Sequence, residues 1–190
     1  MIWSFALFVP ICACYLMWEF NAIKNATIMD LMKDFVDISP AIILLAFNRP
    51  QSAIFLMFCL MANEFIYDNW ILGGALFAVG YATASFLACY GSGFYIVIAL
   101  TAVPAILIFE IPLLVVWKGS ISLKVCAACY GIIALLPCVY AFEVTLNPGF
   151  LLLAVGDIGL GFYGVCEKKW IKVVANVIYF AATCFVPLSL

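Results

Sequence analysis

Apolar residues in this chain come in long runs separated by short polar breaks. The runs cover 2–20, 31–47, 51–67, 71–90, 93–117, 122–144, 148–165 and 170–189. About 20 mostly apolar residues, with a floor near 17, cross the hydrocarbon core as one helix, because every backbone polar group must be satisfied within the segment. The pattern therefore predicts an all-α polytopic membrane protein, a bundle of about eight transmembrane helices in a single transmembrane domain over 1–190. An even number of spans puts both termini on one side. The 31–47 run is the least regular, since Lys33, Asp34 and Asp37 occupy its first two turns. Pro104 and Pro112 in the fifth run and Pro137 in the sixth predict kinks.

Composition agrees with the pattern. Hydrophobic residues make up 69% of the chain and charged residues 9%, where a soluble domain carries roughly 25% charged residues. So little charge cannot cover a surface facing water, which leaves lipid as the solvent. The run at 2–20 lacks a positive start, and Glu19 and Asn21 stand where a small-residue cleavage site belongs. It reads as the first span and not as a leader. Lys24, Lys118, Lys124, Lys168, Lys169 and Lys172 fall in breaks on one side, against Arg49 alone on the other. Positive charge marks the cytosolic face, so both termini are expected away from the cytosol. The expected location is the endoplasmic reticulum membrane in a eukaryote or the inner membrane in a bacterium.

Nothing suggests nucleic acid as a partner. The chain has nine cysteines and no histidine. Cys126 and Cys129 have redox or zinc spacing, but they lie in an apolar helix without a second pair, so no metal and no cofactor are expected. Gly80, Ala84 and Ala88, and Gly156, Gly159, Gly161 and Gly164, mark helix faces suited to close packing. Asn25-Ala-Thr27 is a formal glycosylation sequon in a short break assigned to the cytosolic side.

The informative residues are polar ones inside the runs. A charge at the centre of a spanning helix costs at least about 2.5–3.5 kcal/mol and usually marks function. Lys33, Asp34, Asp37, Glu64, Asp68, Glu110 and Asp157 qualify as candidates. Asp157 lies well inside LLLAVGDIGLGF with no charge nearby in sequence, so another helix must supply a cation, a donor or a wet cavity. Alternating spans place Lys33, Glu64, Asp68, Asp157 and Asn176 in the same half of the membrane. That layer suggests a polar cavity opening on one leaflet. Lys33 and Asp68 near span ends could equally reach interfacial water, and Glu110 could satisfy backbone kinked by its flanking prolines.

Three segments resemble the YhhN/TMEM86 family of membrane proteins. DNWILGGALFAVG (68–80) is similar to the family's Asp segment leading into a Phe-x-x-Gly helix. GFLLLAVGDIGLGFYG (149–164) resembles its second Asp segment, and IYFAATCFVPLSL (178–190) its last helix, where paired aromatics precede Ala-Ala. Lys33 stands about where the family has a lysine. Each motif is short, and their order and spacing carry the likeness. Two departures stand out. Tyr67 precedes Asp68 where the family has Gly, and GYATASFLACY offers Ala84 and Ala88 in the register of a family histidine.

The resemblance implies a lysoplasmalogenase, which cleaves the vinyl ether of a lysophospholipid substrate to a fatty aldehyde and a glycerophospho-headgroup. Vinyl ethers hydrolyse by protonation at carbon followed by water capture, a task for an acid and a carboxylate. A carboxyl group away from water favours its neutral, proton-donating form. Asp157 is accordingly the expected acid, Asp68 the ionised partner, and Lys33 a partner of Asp68 or of the lipid phosphate. Glu64, Asn176 and Tyr179 are expected to position water or headgroup. Two other readings remain at this stage: a small transporter or channel using the same polar layer, and a lipid-binding relative without catalysis. Oligomeric state, a homodimer included, is open.

Overall fold

The computed structural model describes residues 2–66, 69–92, 104, 107–108, 111–112 and 114–190. Every regular element among them is helical. Helix α1 (Ile2–Glu19) is followed by α2 (Ala26–Asp37), α3 (Ser39–Phe47), α4 (Pro50–Ile66) and α5 (Trp70–Cys89). After 92 come α6 (Ile121–Tyr130), a π-helical segment (Gly131–Leu135) and α7 (Leu136–Thr145), which form one continuous rod. Helices α8 (Pro148–Cys166) and α9 (Lys169–Phe185) complete the chain, with a 3₁₀ turn at Val186–Leu188.

Among the described residues, four helices are long and apolar enough to cross a membrane: Ile71–Cys89, Lys124–Thr145, Pro148–Cys166 and Lys169–Leu188. The apolar helices Ala6–Glu19 and Pro50–Ile66 are shorter. The fifth expected run, with Glu110, lies largely outside the described residues.

The second expected run is not one helix. It breaks at Ile38, between the amphipathic α2 and the wholly apolar α3. Pro40 in the first turn of α3 has no N–H for a bond to the Val36 carbonyl, and its ring crowds that carbonyl. The helix ending at Asp37 therefore cannot run on. Asp37 lines one cavity with Trp18 and Asn63, each within a turn of the end of α1 or α4. Thus α2 sits at that end of the bundle, and α3 alone descends into it.

Asparagine marks most of the breaks. Asn25, Asn69 and Asn147 each accept a bond from a backbone N–H in the first turn of the helix that follows, which satisfies an orphan donor. Asn147 does more, donating to the Phe185 carbonyl at 3.0 Å and to Ser189 Oγ at 2.7 Å. One side chain thus starts α8 and ties it to the end of α9.

The most extensive pairings are α8 with α9 and α4 with α5, followed by α5 with α7, α1 with α2, α3 with α4, and then α1 with α9 and α7 with α8. Small residues permit the first two. A Cβ on Gly159 would lie 2.9 Å from Ala175 Cβ, and one on Gly80 would lie 2.8 Å from Phe58 Cβ. The buried core gathers Ile11, Tyr15, Ile43, Phe55, Tyr81, Leu135, Phe150 and Phe180.

Glu19, ending α1, pairs with Lys172 at 2.9 Å and with Lys169, both in the first turn of α9. At the opposite end, Ser52 Oγ donates to the Pro187 carbonyl at 3.4 Å. Helices α1 and α9 are therefore antiparallel, and the Ile2 and Phe185 ends lie together.

Candidate functional site

Asp157 occupies the tenth position of nineteen in α8, the middle of the helix. At 1.5 Å per residue it stands about 14 Å from the Cys166 end. Its side chain is partly buried among α5, the π segment and α9. Each carboxyl oxygen faces a tyrosine. Tyr130 Oη donates to Oδ2 at 2.5 Å, and Tyr81 Oη approaches Oδ1 at 3.4 Å. No lysine or arginine pairs with Asp157 among the described residues. The demand that sequence imposed, a donor from another helix, is thus met by hydroxyls from two helices.

Local backbone explains how Tyr130 gets there. It is the last residue of α6, directly before the π-helical turn. Pro137 can neither donate to the Ile133 carbonyl nor lie close against it, and a widened turn accommodates both defects. The kink expected at Pro137 takes this form. Tyr81 is fully buried in α5, its ring beside Phe55 and Phe77.

Around this carboxyl group lie further polar atoms. Ser85 Oγ contacts Cys138 Sγ at 4.0 Å, one turn beyond Tyr81. Tyr179, buried in α9, packs edge-on against Phe77, and its hydroxyl faces the Cys59 thiol. That hydroxyl has no hydrogen bond of ordinary geometry among the described residues.

Tyr179 also lines a half-enclosed cavity of about 50 Å³. Its other lining residues are Tyr15, Trp18, Val36, Asp37, Asn63, Asn176 and Phe180. Asn176 Nδ2 donates to Tyr15 Oη at 2.8 Å. Lys33, Asp34 and Glu64 are the charged neighbours of Asp37. The cavity lies at the end of the bundle that carries Lys169 and Lys172.

The six expected site residues therefore divide. Asn176 and Tyr179 line the cavity, and Lys33 and Glu64 are charged neighbours of Asp37, which lines it too. Asp157 is outside that lining, at about the level of Tyr179, since the neighbouring Gly156 packs against the Tyr179 backbone. Asp68 lies outside the described residues. Tyr81 and Tyr130, the direct partners of Asp157, were not singled out by sequence. Ala84, in the register of the family histidine, is fully buried in the core.

Cys126 and Cys129 are exposed free thiols on α6. Among the described residues, no three His, Cys, Asp or Glu side chains are arranged to hold a metal. Compared with protein-family models, curated proteins and solved structures, the chain matches none.

Proposed function

We propose that this chain is a membrane-embedded lipid hydrolase of the lysoplasmalogenase kind, with Asp157 as the acid that protonates the vinyl ether. The observation that carries the reading is the Asp157 carboxyl group at mid-helix, held by Tyr130 and Tyr81. A carboxyl group so deep in an apolar bundle, without a cationic partner among the described residues, is hard to account for by packing alone.

The two oxygens are unequal. Oδ2 accepts the short Tyr130 bond, whereas Oδ1 has only the long Tyr81 contact. In the proposed reaction Oδ1 carries the acid proton. It passes to the alkene carbon remote from the ether oxygen, leaving an oxocarbenium ion and an Asp157 carboxylate steadied by Tyr130. Water adds to the cation and returns a proton to the carboxylate. The hemiacetal then breaks its carbon–oxygen bond to give the fatty aldehyde and the freed glycerol hydroxyl. Asp68 is proposed to stabilise the cation, as the family resemblance suggests, with Lys33 toward the phosphate. Water for the capture step is proposed to come from the cavity that Tyr179 helps to line.

The test is aldehyde release from a vinyl-ether lysophospholipid by protein purified in detergent, with an ester lysophospholipid as control. Asp157→Asn is expected to abolish it, because the amide holds its place but supplies no acid proton. Full activity in that variant would overturn the assignment.

One observation favours a second reading, a lipid-binding relative without turnover. Ala84 is sealed in the core at the register where the resembled family carries histidine. Saturable binding of the lysolipid by the wild-type protein without aldehyde release would support it.

A further inference from the structure

We infer that α5 and α6 splay apart toward the lysine-bearing end of the bundle to form a lateral cleft, and that this cleft takes the hydrocarbon tail of a single-chain lipid whose ether linkage lies against Asp157. The inference rests on the proposed lysolipid substrate and adds the place of its tail.

The two helices run in parallel. Helix α4 starts at the Ser52–Pro187 end of the bundle, so α5 starts at the other. Helix α7 finishes next to Asn147, which bonds to the Phe185 carbonyl, so α6 also starts at the lysine-bearing end. They meet at Gly74, where a Cβ would touch the Tyr130 ring at 3.8 Å. Past Tyr130, α5 packs closely on the π segment and on α7, but among the described residues it touches α6 little. Cys126 shows the divergence. It stands one turn before Tyr130 on the same face of α6, yet it is exposed. No described residue of α6 is buried, whereas Gly131, Ala134 and Leu135 directly after it are. Across the gap Ile71, one turn before Gly74, is 55% exposed. The result is a wedge, open at Cys126 and Ile71 and closed at Gly74 and Tyr130.

Position and depth name the occupant. The residue that closes the wedge, Tyr130, is the one whose hydroxyl bonds to Asp157, so a chain lying in the wedge ends at the proposed acid. By helical rise Tyr130 lies about 9 Å beyond Lys124, where the apolar span begins. That depth is within the hydrocarbon layer, which suits a lipid tail and not a charged headgroup. Fully buried side chains such as Phe55, Tyr81 and Leu153 fill the core of the bundle. A long alkenyl chain with its first carbons at Asp157 must therefore leave the bundle, and the wedge opens beside the carboxyl group's own partner. Gly74 keeps it open, because a side chain larger than a methyl group there would take up the space beside the Tyr130 ring.

The probe is a saturated 1-alkyl lysophospholipid with a diazirine in mid-chain, photolysed with the full chain in nanodiscs of diacyl phosphatidylcholine. It has no vinyl ether to cleave, and the surrounding two-chain lipid competes for every ordinary lipid-facing surface. Adducts that excess unlabelled 1-alkyl lysolipid removes are expected in the segments 70–74 and 123–130. Gly74→Leu should lower that competed adduct by about tenfold, the effect of one overpacked side chain. Gly74→Ala should leave it near the wild-type level, since the added methyl group makes ordinary contact. Circular dichroism reports whether both variants fold, and the wild-type adduct map decides even where Gly74→Leu does not. Competed adducts confined to other helices, none at all, or a wild-type yield in folded Gly74→Leu would overturn the inference. Aldehyde release from vinyl-ether substrate with competed adducts elsewhere sinks this inference alone. Competed adducts in the cleft without aldehyde release sink the proposed hydrolysis alone.

Discussion

At the scale of single residues, the two tyrosines facing Asp157 are not equivalent, and their difference is measurable. The 2.5 Å bond from Tyr130 is a strong contact, while the 3.4 Å approach of Tyr81 is near the limit of a hydrogen bond. Tyr130→Phe removes the donor that steadies the carboxylate left by proton transfer. Aldehyde release is expected to fall by about one to two orders of magnitude, matching the roughly 1.5–3 kcal/mol of a hydrogen bond to a charged group. Tyr81→Phe should cost less than about threefold by the same arithmetic. Equal losses in the two variants would show that neither hydroxyl has the role given it. Sequence exposed Asp157 because a carboxyl group in an apolar run has no bland explanation. It did not expose the tyrosines, since a membrane tyrosine is indistinguishable from packing until helix rotation and depth are known. Asp37 was visible as a charge, but its place in a cavity depends on a break in the helix that hydropathy does not register.

At the scale of elements, the glycines of α8 separate packing from propensity. Gly159 lies against Ala175, and a Cβ there would come within 2.9 Å of it, whereas nothing approaches a Cβ on Gly164 within 4 Å. Gly159→Ala should force α8 and α9 apart and destabilise the fold by about 1–3 kcal/mol. Gly164→Ala should be neutral or gain up to about 1 kcal/mol from helix propensity. Unfolding monitored by circular dichroism in detergent distinguishes the pair, and a destabilisation shared by both would contradict the packing account. Asn147 gives a second element-scale test. Asn147→Ala loses a helix cap and both ties to the end of α9, and should cost about 2 kcal/mol or more. Asn147→Asp keeps the cap alone and should fall between wild type and alanine. The helix breaks were largely legible, because asparagine starts a helix through its short side chain. The break at Ile38 was written in Ser39–Pro40, yet it was masked by apolar residues running through to Phe47. The π turn followed from Pro137, although proline alone does not say whether a helix kinks or widens.

At the scale of the whole molecule, the bundle has two distinguishable ends. Glu19 with Lys169 and Lys172 defines one, and Ser52 with Pro187 defines the other. The tally of lysines against Arg49 depended only on alternating breaks, yet Lys24, Lys168, Lys169 and Lys172 are all attached to the first of these ends. The positive-inside rule predicts that end toward the cytosol, and with it a cavity opening on the cytosolic leaflet. The expected arrangement can be read with epitope tags placed before Ile2, after Leu190, and in the Glu167–Lys168 turn. In sealed vesicles of known orientation, protease should reach the turn tag from the cytosolic side, and both terminal tags only from the other. The three variants must each retain lysolipid binding, so that a tag has not disturbed the fold. Terminal tags on opposite sides would contradict the antiparallel packing of α1 and α9. Terminal tags together on the cytosolic side would keep that packing but invert the bundle. The cavity would then face the opposite leaflet.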